Sequence, residues 1–290
     1  MFLYQKEIAT NPRILAALAQ QEQLNRELEK MKPIRNKKEV PDLELETWSS
    51  ISVLVDKQGK ERILFQQEID RKLPIASLTK LMTARVALKN YALSDEIIIS
   101  RRAVQEEGDF GKLKIGEILT VEKLLYPLLM ESSNDAAFSL AQDHPDMEME
   151  TFVSLMNREA ENMRLESTVF TNPSGLEPNY STARDLVKLT KILISEEPLI
   201  WKILSLPRIN LYQEDLVNTN QLLNYEGTAW WRGKIIGGKT GYTEESGGCF
   251  LFVVKAPKNR GYLVNVVLGS KDRFNDMEKL LNWLKTAYLW

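Results

Sequence analysis

From Trp48 onward the chain alternates between apolar and polar positions. Ser50-Ile-Ser-Val-Leu-Val-Asp56 and Arg62-Ile-Leu-Phe-Gln66 flank a polar turn at Lys57-Gln-Gly59, and a period of two on both sides of a turn predicts a β-hairpin. The period then lengthens. Leu78-Thr-Lys-Leu-Met-Thr-Ala-Arg-Val-Ala-Leu88 carries apolar residues on most faces and no breaker, so a mostly buried helix opened by Ser77 is expected. Helical patterns dominate residues 93–224. Leu124, Leu125, Leu128 and Leu129 share one face behind a Thr120 cap, and a further helix begins at Ala136. Ser132 falls in the short connection between them. After Trp230-Trp231 the pattern returns to strands, at Lys234–Tyr242, Cys249–Lys255 and Tyr262–Gly269, with Ala256-Pro-Lys-Asn-Arg-Gly261 as a turn. A closing helix is predicted over Asn275–Leu289, with Met277, Leu280, Leu281, Trp283 and Leu284 apolar.

The amino-terminal stretch differs. Asn11-Pro12 is a helix-start signal, and Ile14, Leu18, Leu24, Leu28 and Met31 form a sparse stripe that ends before Pro33. The charged, proline-punctuated run that follows has no period and reads as a linker or extended arm. The stripe is too short for a dimerising coiled coil. These shifts divide the chain into a helical arm and linker (1–45), a discontinuous α/β sheet domain (46–92 and 225–290) and a helical subdomain (93–224). A sheet built from both ends of the chain with helices inserted between them is an α+β architecture.

Composition removes several function classes. The 290 residues are 43% hydrophobic and 27% charged, ordinary values for a globular chain. A net charge of −2 and the lack of a long basic run argue against nucleic-acid binding. The single cysteine, Cys249, lies in an apolar run, which predicts a buried strand residue and rules out an internal disulfide. The single histidine, His144, sits in a polar stretch and is expected to be a solvated loop residue, a poor base for a Ser-His-Asp triad. With one His and one Cys, neither a zinc site nor any other metal or cofactor site is expected. No run approaches 18 apolar residues, and Met1–Glu7 lacks the pattern of a secretory signal, so no membrane segment or address is visible.

Three short motifs carry candidate chemistry: Ser77-Leu-Thr-Lys80, Ser132-Ser-Asn134 and Lys239-Thr-Gly241. A serine hydroxyl needs a nearby base to attack an amide or ester. The spacing puts Lys80 one helical turn from Ser77 on the same face, about 5–6 Å between Cβ atoms. Lys80 serves as a base only when neutral, which desolvation and a second cation, for which Lys239 is the candidate, both favour. Ser77 reads equally as a helix cap and Lys80 as a surface residue, but Ile75, Ala76, Leu78, Leu81 and Met82 make the neighbourhood too apolar for a solvated lysine. Ser132 and Asn134 suit a proton relay and an amide-orienting group, although Ser-Ser-Asn-Asp also reads as a helix-terminating turn with caps. Gly237-Gly-Lys-Thr-Gly241 lacks the glycine spacing of a phosphate loop. A glycine-flanked strand open to substrate fits better, with Lys239 and Thr240 gripping a carboxylate and a backbone N–H just past Gly241 joining that of Ser77 in an oxyanion hole.

With these motifs the sequence resembles the low-molecular-mass penicillin-binding proteins, the serine-type D-alanyl-D-alanine carboxypeptidases of peptidoglycan metabolism. The match extends to Leu73–Ala84, Leu119–Tyr126, Ser133–Ala137, Phe170–Leu176, Tyr180–Leu186 and Gly238–Thr243, and runs from about Trp48 to the C-terminus. The resemblance implies a β-lactamase/transpeptidase-like fold, an antiparallel sheet flanked by helices beside an all-helical subdomain. It implies Ser77 as acylated nucleophile, Lys80 as base and Ser132 as relay, with Asn134, Lys239, Thr240 and Gly241 gripping substrate and Tyr242 lending its N–H. It further implies peptidoglycan stem peptides as substrates, β-lactams as covalent inhibitors and action in the extracytoplasmic envelope. Many members continue into a C-terminal β-domain and a membrane anchor, whereas this chain stops at Trp290, and either Lys271 or Arg273 is placed to supply the family's additional carboxylate-binding cation. A D,D-endopeptidase shares the same motifs. A class A β-lactamase is disfavoured because Glu166-Ser-Thr-Val-Phe170 lacks the leucine and asparagine of that class's deacylation motif, and Glu278-Lys-Leu-Leu-Asn282 falls in the closing helix. A binding protein without catalysis is disfavoured because every catalytic side chain is present.

Overall fold

A computed structural model describes residues 32–104, 112–211, 214–224 and 226–290, with positions 12, 14–16, 19, 20 and 23 of the amino-terminal arm. Those arm positions are helical, but most of the helix expected before Pro33 lies outside the described residues. The chain divides into two compact units: Leu43–Leu284, and Met1–Asp42 with Lys285–Trp290. In the smaller unit Ile34–Arg35 pairs antiparallel with Tyr288–Leu289, and Arg35 caps Val40 O and Pro41 O while meeting Asp42 at 2.9 Å. The final residues thus form a short ribbon, where the sequence pattern had continued the helix.

The larger unit is organised by one five-stranded antiparallel sheet. Strands β1 (Ser49–Val55) and β2 (Glu61–Gln67) form the predicted hairpin, and β3 (Ile235–Thr243), β4 (Gly247–Lys255) and β5 (Tyr262–Ser270) form the predicted carboxy-terminal meander. The order is β3-β4-β5-β1-β2, so β5 joins the two halves through its pairing with β1 and leaves β3 at an edge. Both faces of the sheet are covered. Ile51, Val53, Leu251, Val253, Val264 and Val266 turn toward a helical core, whereas Phe250 and Phe65 pack edge-on against Phe274 and Trp283 of the closing helix α7 (Arg273–Ala287). This explains why Cys249-Phe-Leu-Phe-Val-Val reads as continuously apolar rather than alternating.

Besides a single turn at Arg101–Val104, the helical part has α1 (Lys80–Asn90), α2 (Val121–Tyr126), α3 (Asn134–Gln142), α4 (Met149–Asn162), α5 (Ala183–Glu196) and α6 (Pro198–Leu204). Thr120 caps α2 as expected, its hydroxyl accepting from Lys123 N at 3.3 Å. The apolar face beginning at Leu124 is not one regular helix, because Pro127 has no N–H to donate. The backbone widens into a π-turn over Pro127–Glu131 and ends with Ser132 in a left-handed conformation, φ 65°.

Ser77 does not open the α-helix directly. It sits in a single 3₁₀ turn, Ala76–Thr79, and α1 begins at Lys80. The turn is wedged against Gly175, whose φ is +79° and where an added Cβ would lie 2.0 Å from Ala76 O. Only glycine fits there. Gly175→Ala is expected to destabilise the protein by about 3 kcal/mol from left-handed strain and overlap together. That corresponds to a Tm lower by roughly 6–12 °C, readable by differential scanning calorimetry, and a shift under 2 °C would contradict this account.

Candidate active site

The turn bearing Ser77 is held from three sides. Thr79 Oγ1 donates to Ala76 O at 2.7 Å, Asn179 Nδ2 donates to Thr79 Oγ1 at 3.0 Å, and Ile75 N donates to Asn179 O at 3.0 Å. One turn on, the Lys80 side chain is wholly buried, with Nζ 3.0 Å from Ser77 Oγ. Nζ also lies 2.8 Å from Asn134 Oδ1 and 2.7 Å from Ser174 O. Burial first, and the charge of Lys239 second, hold the Lys80 amine well below the ordinary lysine range.

Ser132 and Asn134 come from the turn that Pro127 creates. Ser133 between them caps α3, accepting from Ala136 N at 3.1 Å, so the capping reading of Ser-Ser-Asn belongs to Ser133 and leaves the side chains of Ser132 and Asn134 for the two lysines. Left-handed Ser132 meets Lys239, whose Nζ donates to Ser132 Oγ at 2.8 Å and to Thr240 O at 2.9 Å. Lys239 is also buried, and that burial together with the charge of Arg273 pushes its amine down to about 7.

Strand β3 passes directly beneath the Ser77 turn. A Cβ on Gly241 would lie 2.9 Å from Ser77 N and 3.1 Å from Ala76 Cβ, so glycine permits the approach. Tyr242 follows and is 63% exposed. All eight residues singled out in the sequence, Ser77, Lys80, Ser132, Asn134, Lys239, Thr240, Gly241 and Tyr242, therefore lie in one neighbourhood within the larger unit.

Two further contributors were not given roles from sequence. Ser174 O receives the Lys80 amine; the segment Phe170–Leu176 stood out, but a backbone carbonyl leaves no residue-type signal. Thr219 Oγ1 lies 2.7 Å from Thr240 Oγ1 and its N–H donates to Met130 O, yet Asn218-Thr-Asn220 matches no motif. Of the two candidate cations, Lys271 is exposed, whereas Arg273 reaches Gly241 O at 3.4 Å and keeps a buried Nε with no partner among the described residues.

His144 corrects an expectation. It is 8% exposed, stacked on Tyr91 with ring centroids 4.0 Å apart, and its Nε2 is 3.5 Å from Asp95 Oδ2. A following proline and polar neighbours disguised a packed residue. It makes none of the contacts described around Ser77. Among the described residues no group of His, Cys, Asp or Glu is arranged to hold a metal ion.

A profile of the D-alanyl-D-alanine carboxypeptidase family matches residues 36–272. A D-alanyl-D-alanine endopeptidase of Pseudomonas aeruginosa is 34% identical over 251 residues, covering 82% of this chain and 78% of that protein. The D-alanyl-D-alanine carboxypeptidase DacC of Escherichia coli is 32% identical over 263 residues, 84% of this chain and 62% of that protein. Penicillin-binding protein D2 of Listeria monocytogenes in its cefotaxime-bound form superposes with a TM-score of 0.71 at 28% identity, covering 84% of this chain and 99% of that one. The chain belongs to the D-alanyl-D-alanine carboxypeptidase family, and with it to the serine peptidases of penicillin-binding-protein fold. The family acts on peptidoglycan, which assigns the enzyme to the cell envelope. Among the described residues no helix is long and apolar enough to cross a membrane.

The buried lysines leave a thermodynamic signature. An amine whose folded pKa is depressed binds its proton in the unfolded chain but not in the folded one between the two pKa values, so stability rises with pH in that window. For Lys239 the window runs from about 7 to the ordinary 10.5. Between pH 7.5 and 9.5 the slope from this residue is expected to be about 1.4 kcal/mol per pH unit. Chemical denaturation at several pH values should show stability rising with pH in the wild type, to which Lys80 adds in the same direction, and a slope smaller by about one proton in Lys239→Met.

Proposed function

We propose that this chain is a D,D-carboxypeptidase that removes the terminal D-alanine of peptidoglycan stem peptides through an acyl-enzyme on Ser77. The observation that carries the reading is the environment of the Lys80 amine. A neutral amine has two protons and one lone pair. The two protons fit Asn134 Oδ1 and Ser174 O, both pure acceptors, and the lone pair is left for the Ser77 hydroxyl. Burial and the neighbouring Lys239 favour that neutral form. Lys80 then draws the proton as Ser77 Oγ attacks the penultimate D-alanine carbonyl.

The developing oxyanion takes hydrogen bonds from the N–H groups of Ser77 and Tyr242, which Gly241 brings together. Ser132, with its hydroxyl on the Lys239 amine, passes a proton to the leaving amine, and Asn134 orients the substrate amide. Lys239, Thr240 and Arg273 hold the terminal carboxylate. The unpartnered Nε of Arg273 and the depressed pKa of Lys239, which a bound carboxylate would raise again, both support that assignment. Water then hydrolyses the acyl-enzyme outside the cytoplasmic membrane, where peptidoglycan is exposed. The same steps apply to a β-lactam carbonyl, in keeping with the cefotaxime-bound Listeria relative. Deacylation of that adduct is slow, since the class A deacylation motif is missing from its place in the sequence.

A second reading, D,D-endopeptidase action on cross-linked peptidoglycan, is favoured by the 34% identity to the Pseudomonas endopeptidase. Products from purified monomeric and cross-linked muropeptides separate the two: release of free D-alanine from monomers supports the carboxypeptidase, and conversion of dimers to monomers alone overturns it.

Incubation with benzylpenicillin followed by intact-mass analysis is expected to give one stable adduct on the wild type and none on Ser77→Ala. Lys80→Met should slow acylation by roughly 10²–10⁴-fold, the usual worth of a general base. An adduct on Ser77→Ala would exclude Ser77 as the nucleophile.

A further inference from the structure

Beyond the groups that handle the scissile bond, β3 continues to an open end that the mechanism does not use. Its direction fixes what lies there. With the terminal carboxylate at Lys239 and Thr240 and the scissile carbonyl at Tyr242, the upstream part of the peptide runs past Tyr242 toward the Thr243–Ser246 turn. That turn is rigid. Thr243 N donates to Ser246 Oγ at 3.0 Å, Ser246 N donates to Thr243 Oγ1 at 3.0 Å, and Ser246 is buried. Glu245 is thereby presented at a fixed place with its carboxylate exposed.

Facing it is Tyr180, half-buried and anchored because Tyr180 pairs with Pro74 just ahead of the Ser77 turn. The Tyr180 hydroxyl donates to Glu245 Oε1 at 3.3 Å, and the ammonium of exposed Lys72 lies 5.9 Å from the centre of the same ring. One aromatic ring is therefore flanked by a carboxylate three residues beyond Tyr242 and by an ammonium from the segment that leads into the Ser77 turn. The residue preceding the penultimate D-alanine stands one residue, roughly 3.5 Å, further along an extended substrate, and a long side chain there reaches the turn.

Resting on the D,D-peptidase reading above, we propose that Lys72, Tyr180 and Glu245 select the third residue of the stem peptide, favouring a long side chain that ends in both an ammonium and a carboxylate. Glu245 receives the ammonium, Lys72 the carboxylate, and the Tyr180 ring supports the methylene stem between them. A diaminodicarboxylic acid has this chemistry, a lysine offers half of it, and an Nε-acetyl-lysine offers neither charge.

The test compares kcat/KM on three tripeptides that end in D-alanyl-D-alanine and carry a diaminopimelyl, a lysyl or an Nε-acetyl-lysyl residue before it. Wild type is expected to rank them in that order, each exposed charge contact contributing up to roughly fivefold. Glu245→Gln should cut the two ammonium-bearing substrates by about that factor and leave the acetylated one within about twofold. Lys72→Gln should lower the diaminopimelyl substrate alone. Equal rates on all three in wild type overturn the proposal, as does a uniform loss in Glu245→Gln or an identical effect from Glu244→Gln, which would point to the general field of the turn. Benzylpenicillin acylation of the same preparations separates the layers. If Ser77 acylates and peptides are cleaved without discrimination, the selection proposal alone fails; if Ser77 neither acylates nor cleaves, the peptidase reading fails and takes the proposal with it.

Discussion

Two lysine amines buried in one neighbourhood govern the construction of this molecule. An unpaired ammonium moved from water into a protein interior costs several kcal/mol, so Lys80 and Lys239 persist there only because acceptors surround them and because their charge is easily lost. Asn134 Oδ1 and Ser174 O serve Lys80, while Ser132 Oγ and Thr240 O serve Lys239. These oxygens come from three segments spread between residues 132 and 240, and the fold's task is to bring them together. The stabilisation comes from elsewhere, from a sheet apolar on both faces and the helical core against it.

Placing those oxygens requires backbone that most residues avoid. Ala76, Ser132 and Gly175 have φ of 45°, 65° and 79°, and all three adjoin the nucleophile or a lysine acceptor. Ala76 turns the chain so that Ser77 faces Lys80, Ser132 turns its hydroxyl toward Lys239, and Gly175 lets the Ser174 carbonyl approach. A left-handed alanine or serine is unfavourable in isolation and survives only where its surroundings fix it. Pro127 shows one way that is done: by withholding one N–H it makes the helix widen, and the widened turn delivers Ser132. Two of these left-handed residues therefore sit beside the chemistry, while Glu68, Arg164, Lys258 and Asn259 take the same region in turns elsewhere.

What the sequence discloses follows from where the information resides. The hairpin, the meander and the closing helix were legible because side-chain period is a property of consecutive residues, and the three motifs because their spacing is local. The proximity of Lys80 to Lys239 was inferable as chemistry, since a base lysine needs a second cation, but its distance depends on the β3 edge meeting the Ala76–Thr79 turn. The role of Ser174 was hidden because a carbonyl belongs to every residue. Thr219 was hidden because its meaning depends on Thr240 across a contact of 2.7 Å. His144 was misread for the opposite reason: polar neighbours in sequence concealed an aromatic neighbour, Tyr91, supplied by another helix's end.

The edge position of β3 connects fold to function. An unprotected sheet edge invites unwanted pairing, and proteins cover or shorten such edges. Here the first half is covered: Trp201 and Leu204 of α6 stand so close over Gly237 that a Cβ there would meet either at 3.0 Å. The second half, from Lys239 to Tyr242, faces the nucleophile turn and is closed off beyond by the reciprocal bonds of Thr243 and Ser246. The open stretch is only a few residues long. That is too short to recruit a stray strand stably, yet long enough for an extended dipeptide to add its own hydrogen bonds. Under the proposed carboxypeptidase reading, selectivity for a chain end follows: a peptide placed in this slot with its carboxylate at Lys239 and Arg273 leaves only its upstream side free to be read.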